Sequence, residues 1–302
     1  MPMFKYMSAD VAPLFAKTLR VRFTQPSELN DPFEIRPLID FKGTAEELRH
    51  VVNAKIADTF RDLDTALALL EKRQTINPEL FSLKFSVKDL RKMIAVDPNL
   101  KQQLAAQIDL ERFKVELLEE YTSESAWKAM WEHFHQTIGQ LIGIFSLTED
   151  PTHRLMWSHY ASEHRGIAVE FDEGHSWFNH KKASVDDLRH LVQVSYVQNP
   201  HPRTWKQLSG TDILYTKNTD WSYEREWRII RPLKDGLEVS PGKFCFDVPA
   251  DAVRSIIFGC RTKADIEQEI RASVAENPAL SHVCFKRGKL ADGKIEIVDA
   301  DS

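Results

Sequence analysis

The 302-residue chain is 42% hydrophobic, enough to bury a substantial core as one large domain or one domain carrying an insertion. Its net charge of -5 argues against an electrostatic grip on nucleic acid as the main business of its surface. Three widely spaced cysteines, Cys245, Cys260 and Cys284, do not make a disulfide framework or a zinc site and read as small core residues in a reducing compartment. With no basic-then-apolar leader and no eighteen consecutive apolar residues, the chain is expected to be cytoplasmic, without a membrane partner.

In chain order, Met3 to Tyr6 predicts a strand, and Ser8 or Asp10 caps a helix through Val11, Leu14, Phe15 and Leu19. Leu19, Val21 and Phe23 alternate with Arg20, Arg22 and Thr24, so a second strand turns its arginines away from the core. Pro26, Asn30, Asp31 and Pro32 then punctuate a rigid loop carrying Asp31 and Glu34. From about 44 to 138 the composition shifts to Leu, Ala, Glu, Lys and Gln, which predicts a large helical insertion between the early and later strands. Within it, Leu110, Phe113, Leu117 and Tyr121 recur at helical spacing, Pro98 follows Asp97 as a first-turn proline, and Trp127, Trp131 and Phe134 form an aromatic stripe read as core.

Leu141 to Leu147 reads as a buried strand. A short helix from about Thr152 brings Leu155, His159 and Ser162 near one face, and Gly166 ends it before a strand through Ile167, Val169 and Phe171. A helix is expected over Asp186 to Val192, a strand over Val194 to Val197, and a connector over Arg203 to Tyr215. Strands are expected at Phe244 to Val248, Ser255 to Phe258, Val283 to Lys286 and Ile295 to Val298, with a helix capped by Thr262 through Ile266 and Ile270. The predicted class is α+β, a mixed and mostly antiparallel sheet with segregated helices.

The richest stretch for chemistry is LYTKNTDWSYEREWRIIRP, Leu214 to Pro232. Read as a strand from Tyr223 onward, it places Glu224, Glu226 and Arg228 on one face and Tyr223, Arg225 and Trp227 on the other. Two carboxylates and a guanidinium on one face meet solvent, pair through Arg228, or line a polar pocket walled by Trp221 and its neighbours. Elsewhere the sequence lacks a glycine-rich phosphate loop, a G-x-S-x-G elbow and an HExxH pair, and neither His133 with His135 nor His159 with His164 has metal-ligand spacing.

The runs LRVRFTQPSELNDPFE, LMWSHYASEHRGIAVEFD and LYTKNTDWSYEREWRII, followed by IIFG, resemble the bacterial family known as domain of unknown function 2971, in order and over most of the chain outside the helical middle. More distantly, the strand MFKYMS, the helix to Ala16 and the strand LRVRFT, with the late Glu224-Arg225-Glu226, are similar to ADP-ribosyltransferase folds. That resemblance implies NAD as cofactor and an enzyme that transfers ADP-ribose or hydrolyses NAD, in a phage-defence or toxin-like role. Glu226 would stabilise the oxocarbenium-like centre as nicotinamide leaves, and Glu224 would position the acceptor. Tyr6 or another aromatic would stack nicotinamide, and Lys5 stands where the superfamily usually has Arg or His. Arg22, Asn30, Asp31, Trp157, His159, Tyr160, Trp221, Tyr223 and Arg228 complete the candidate cofactor-binding set, with a small-molecule ligand as the expected partner.

Two other classes of function fit the residues. Asp31, Glu34, Glu170 and Asp172, with Arg154 or Lys217, would serve metal-dependent phosphodiester cleavage. Asn30, Asp31, Trp157, His159 and Tyr160 would build a recognition cleft without chemistry.

Overall fold

A computed structural model describes residues 1–47, 87–97, 123–184, 186, 188–198, 200–208 and 211–300, together with the single positions 49, 53, 68 and 119. It is α+β. The chain divides into two units, one of Met1–Leu38, His133–His201 and Leu208–Ser302, the other of Ile39–Glu132 and Pro202–Gln207.

The first unit is built on an eight-stranded sheet. Its members are β1 (Met3–Met7), β3 (Ile142–Thr148), β4 (Ile167–Phe171), β5 (Val192–Gln193), β8 (Glu226–Pro232), β11 (Val253–Phe258), β12 (Cys284–Ala291) and β13 (Lys294–Asp299), in the order β13-β12-β11-β4-β1-β3-β8-β5. Only β11 and β12 run parallel in it. A smaller sheet, β2-β10-β9, joins β2 (Arg20–Phe23) to β10 (Lys243–Asp247) and β9 (Leu237–Ser240), while β6 (Ser195–Val197) pairs with β7 (Thr216–Asn218). Helix α1 (Val11–Thr18) follows β1, and a later helix (Ala264–Glu276) follows β11. Aliphatic and aromatic residues on one face of the large sheet, among them Met3, Phe145, Val169, Phe171, Ile229 and Phe258, pack with Phe15 of α1 and Ile270 of the later helix into the main core. On the opposite face Phe4, Tyr6, Ala168 and Ile257 pack with Met156 and Trp157 of the short helix Arg154–Tyr160.

The central strands β1, β3 and β4 are buried along nearly their whole length, because both faces are covered and the strand sequences are apolar at odd and even positions alike. Between β1 and β3, however, the one paired position is Phe4 with Thr148, whereas β1 pairs with β4 over all five of its residues. The sheet therefore opens between β1 and β3. There the Lys5 ammonium donates to the Ser146 carbonyl at 2.9 Å, a side chain taking the place of a ladder bond.

Several expectations are revised. Leu19 is not the first residue of β2 but the left-handed cap of α1, at φ 51°. The short helix starts at Arg154 rather than near Thr152, and it buries Met156 and Trp157, leaving Leu155 and His159 exposed. The described residues of Asp186 to Val192 form no helix, because the Asp186 carboxylate accepts from the backbone amides of Lys182, Leu188 and Arg189 and closes a turn instead. Lys263 rather than Thr262 precedes the later helix, and the Thr262 hydroxyl donates to the Gly166 carbonyl at 2.8 Å. Cys284 is exposed and Cys245 and Cys260 are half-buried, all three as free thiols, so none is a fully buried core residue. Strand β9 escaped prediction because all four of its residues are exposed and carry no burial pattern.

In the second unit, helices are present at 41–47 and Val87–Val96, and the helix Glu124–Leu141 begins there and ends in the first unit. Of the aromatic stripe, Trp127 is buried, Trp131 is half-buried and Phe134 is exposed, so the stripe is core only at its start. Leu110, Phe113, Leu117, Tyr121 and Pro98 lie outside the described residues.

Candidate functional site

The stretch from Leu214 to Pro232 is not one strand. It runs as β7, then a 3-10 helix over Thr219–Glu224, then β8 from Glu226. Asn218 starts the 3-10 turn by accepting from the Asp220 amide at 2.9 Å, and Arg225 ends it in the left-handed region at φ 43°. The alternation read from Tyr223 thus holds only from Glu226 onward. A tight turn through Arg225, rather than a shared strand face, puts Glu224 beside Glu226.

Both carboxylates close on Lys217, which is buried on β7. Its ammonium donates to Glu224 Oε2 at 2.6 Å and Glu226 Oε2 at 3.1 Å, and stands 3.5 Å from Glu34 Oε2. On the far side lies Arg228, with no exposed surface. Its guanidinium gives Nε to Glu226 Oε1 at 2.7 Å and Nη2 to Glu226 Oε2 at 2.9 Å. It also donates Nη1 to the Leu214 carbonyl at 2.7 Å and Nη2 to Glu34 Oε1. Three buried acids are thus interleaved with two buried bases, the arrangement that keeps charge inside a protein tolerable. Glu34 Oε2 alone among the carboxylate oxygens of this cluster accepts no hydrogen bond.

From the outer side, the Tyr160 hydroxyl donates to Glu224 Oε1 at 2.6 Å and accepts from the Asn30 side-chain amide at 2.8 Å. The Trp221 indole donates to Asp31 Oδ2 at 2.9 Å, and its ring lies 5.1 Å from the Lys217 ammonium. The Tyr196 hydroxyl accepts from the Glu226 amide at 2.9 Å. Backbone strain sits next to two of the acids: Arg225 separates Glu224 from Glu226, and Ile35, a β-branched residue at φ 59°, follows Glu34.

Titration follows from burial and these contacts. Burial pushes the Glu226 carboxyl above its usual range, Lys217 opposes the push, and the charge of Glu224 adds to it. Burial alone would lower the Lys217 ammonium, but Glu226 and then Glu224 outweigh it and hold it above the usual lysine range. Burial draws Lys5 down to about 8 against the pull of Glu226 and Glu224, and draws Arg228 down to about 9, still protonated at neutral pH. Burial, the charge of Glu224 and the hydrogen bond to it all raise the Tyr160 phenol.

A cleft of about 220 Å³ opens over this cluster where β1 and β3 part. Lys5, Tyr6, Asn30, Tyr160, Glu224 and Glu226 line it, with Glu28, Glu34, Thr24, Ser146, Thr148, Met156 and Lys217. Residues 156–229 match the DUF2971 family, described as a protein of unknown function. No curated protein and no solved structure matches the chain. The DUF2971 segment supplies Met156, Tyr160, Lys217, Glu224 and Glu226 to the cleft, whereas Lys5, Asn30 and Glu34 come from before it.

The other candidate residues stand around the cleft without lining it. Arg228 lies beneath it, Asp31 and Trp221 brace its edge through their mutual bond, and Arg22 pairs with Glu28 of the lining. Tyr223 stacks on His153 with ring centroids 5.0 Å apart. Trp157 is core: its indole donates to the Pro151 carbonyl at 2.8 Å, and its ring meets that of Tyr6 edge-on at 5.0 Å. His159 is exposed and does not reach the lining, because the helix turns Met156 and Tyr160 toward the cleft.

For the metal-nuclease set, Glu34 and Lys217 join the cleft, but Glu170 accepts from Ser255 at 2.5 Å and Lys286 at 2.7 Å, and Asp172 pairs with Arg254 at 2.8 Å. Among the described residues no group of three or more His, Cys, Asp or Glu is arranged to hold a metal ion. No helix among them is long and apolar enough to cross a membrane. In the sequence Lys217 and Glu34 stand only in the nuclease set; a basic residue seven positions before Glu224 and an acid just after a proline-bounded turn are their signals, and neither announces burial.

Proposed function

We propose that the cleft binds the nicotinamide-ribose end of a nicotinamide dinucleotide and supports breaking of its N-glycosidic bond, with ADP-ribose passing to an acceptor or to water. The observation that carries this reading is the convergence of Glu224 and Glu226 on the floor of a cleft opened between β1 and β3. Departure of the base leaves positive charge on the ribose, and a preorganised carboxylate in a water-poor site is the group that stabilises such charge. Lys217 and Arg228 donate to Glu226, and Tyr160 and Lys217 donate to Glu224, so donors from two sides fix each carboxylate in place. A volume of about 220 Å³ falls below the roughly 300–1,000 Å³ that encloses a whole drug-sized ligand, which suits one end of a dinucleotide rather than all of it. Tyr6 and Lys5 lie in the lining as an aromatic wall and a cation beside the acids.

One observation favours recognition without chemistry. Arg228 engages both oxygens of Glu226, which would suit a carboxylate fixed to hold a ligand rather than to meet a transient charge. Calorimetric titration with the dinucleotide, beside chromatographic detection of released nicotinamide, separates the readings. Binding with release is expected. Binding without release leaves recognition, and heat with magnesium or manganese but none with the dinucleotide would overturn both in favour of the nuclease.

A further inference from the structure

Glu224 and Glu226 are separated by a single residue, and both lie almost wholly out of solvent. Two carboxylates sharing such a site do not both stay ionised without help, because their mutual repulsion is weakly screened there; burial and the charge of Glu224 push the Glu226 carboxyl up, and Lys217 is the charge that opposes them. Among the described residues one cation touches both. Lys217 Nζ bonds Glu224 at 2.6 Å and Glu226 at 3.1 Å, whereas Arg228 bonds Glu226 and Glu34 and makes no bond to Glu224.

We infer that Lys217 is a positioning residue whose ammonium keeps the Glu224–Glu226 pair doubly ionised, so that the cleft offers two anionic acceptors side by side at neutral pH. Its own placement is tightly determined. Strand β7 pairs it with Tyr196 of β6, the Trp221 ring covers it, and Glu34 stands behind it at 3.5 Å. The other charged or titratable groups facing the pair or its cations are Lys5 from β1, Glu34 from the loop after β2, Tyr160 from the helix Arg154–Tyr160, Tyr196 from β6, Tyr223 from the 3-10 helix and Arg228 from β8. The three tyrosines are neutral at neutral pH, since burial raises each phenol, that of Tyr196 to about 12. Lys5 gives its ammonium to the Ser146 carbonyl. Neither Lys5 nor Arg228 therefore replaces the contact that Lys217 makes with Glu224. The inference rests on the proposed reaction for its purpose, a fixed anion opposite a developing cation, and on the contacts of the buried cluster for its content.

The test is a carboxyl ¹³C NMR titration of the full chain, glutamate-labelled and assigned at Glu224 and Glu226, with no ligand present. In the wild-type protein both signals are expected at carboxylate positions from pH 6 to 8. In Lys217→Met one proton equivalent should enter the pair over that range, and Lys217→Arg should restore the wild-type profile. A protonated carboxyl in the wild-type pair at pH 7, or a Lys217→Met titration that matches wild type, overturns the inference. If Lys217→Met does not fold at pH 7, the double variant Lys217→Met with Glu224→Gln, which removes one of the competing charges, should fold; its failure to do so also overturns it. Nicotinamide release by the same wild-type sample reports on the reaction separately. An ionised pair without release keeps the role of Lys217 and sinks the reaction; release from a wild-type pair that is half-protonated does the reverse.

Discussion

Because Arg228 is wholly buried and divides its guanidinium between Glu226, Glu34 and the Leu214 carbonyl, replacing one of its acids does more than remove a surface ion pair. Glu226→Gln keeps the shape and leaves a buried guanidinium short of one charge. It is expected to cost about 3 kcal/mol by urea denaturation, the range for breaking buried pairs rather than exposed ones. If Glu226 also stabilises a transition state, nicotinamide release should fall by about two orders of magnitude or more in the folded variant; unchanged release would remove it from the chemistry. Lys5 carries a pH prediction. Its pKa in the folded chain, about 8, lies below the ordinary lysine value of 10.5, so between these values the unfolded chain holds more protons. Stability from this residue therefore rises with pH across that window and is flat below it. Wild type should gain on Lys5→Met when denaturation at pH 7.5 is compared with pH 9.5, and equal changes in the two proteins would contradict the assignment.

The turn between β7 and β8 is the element on which the candidate site depends. Arg225 is exposed and sits at φ 43°, a conformation that costs an L-residue about 1–2 kcal/mol and glycine nothing. Arg225→Gly trades that relief against the added freedom of the unfolded chain, so its stability should stay within about 0.5 kcal/mol of wild type. Arg225→Val forces a β-branched side chain into the same region and should lose about 2 kcal/mol. It should also weaken dinucleotide binding, because Glu224 would be drawn off Lys217. Equal melting temperatures for the two variants would mean that the turn relaxes without strain. A similar economy operates after the helix Arg154–Tyr160, where Ser162, Glu163 and His164 all have positive φ. They turn the chain in three residues so that Gly166 leads into β4, and the Ser162 hydroxyl accepts from the Ala9 amide at 3.1 Å.

Across the whole first unit, strands from distant parts of the chain meet at two glycines. A Cβ on Gly166 would lie 2.0 Å from the Met7 carbonyl oxygen, and one on Gly259 would lie 2.1 Å from that of His164. Backbone rather than a flexible side chain blocks the space, so relief requires the end of β1 to move from the entry to β4, and the turn before β4 to move from the end of β11. Gly166→Ala should destabilise the protein by about 3 kcal/mol. The loss should appear at the same denaturant concentration by circular dichroism and by tryptophan fluorescence, because the three strands share one core. A local change that leaves the fluorescence midpoint in place would show that β1 detaches without the rest. The cleft depends on the same arrangement, since β1 is held along its full length by β4 and released by β3 after one pair.

What the sequence by itself determined is the order of the main strands and helices, since periodicity and turn residues are local: β1, β3 and β4 follow from apolar runs, α1 from Ser8 and Asp10 before it, and the helix Ala264–Glu276 from the spacing of Ile266 and Ile270. It also paired Glu226 with Arg228, because two positions along a strand return to the same face, whereas Glu224 joins them through the turn at Arg225 and not through the alternation read from the sequence. Only the tertiary structure decided that Lys217 and Glu34 join them, since a lysine on a three-residue strand and a glutamate in a loop carry no periodic signal of burial. It also decided that Trp157 is core and His159 exposed, although the two are neighbours on one short helix, because that depends on which side of the helix the sheet covers. The opening between β1 and β3 has no local cause that a sequence could record. Its place is set by long-range pairing: β4 holds β1 at every residue and β8 holds β3 at every residue, while β1 and β3 share one paired position, and the cleft lies there.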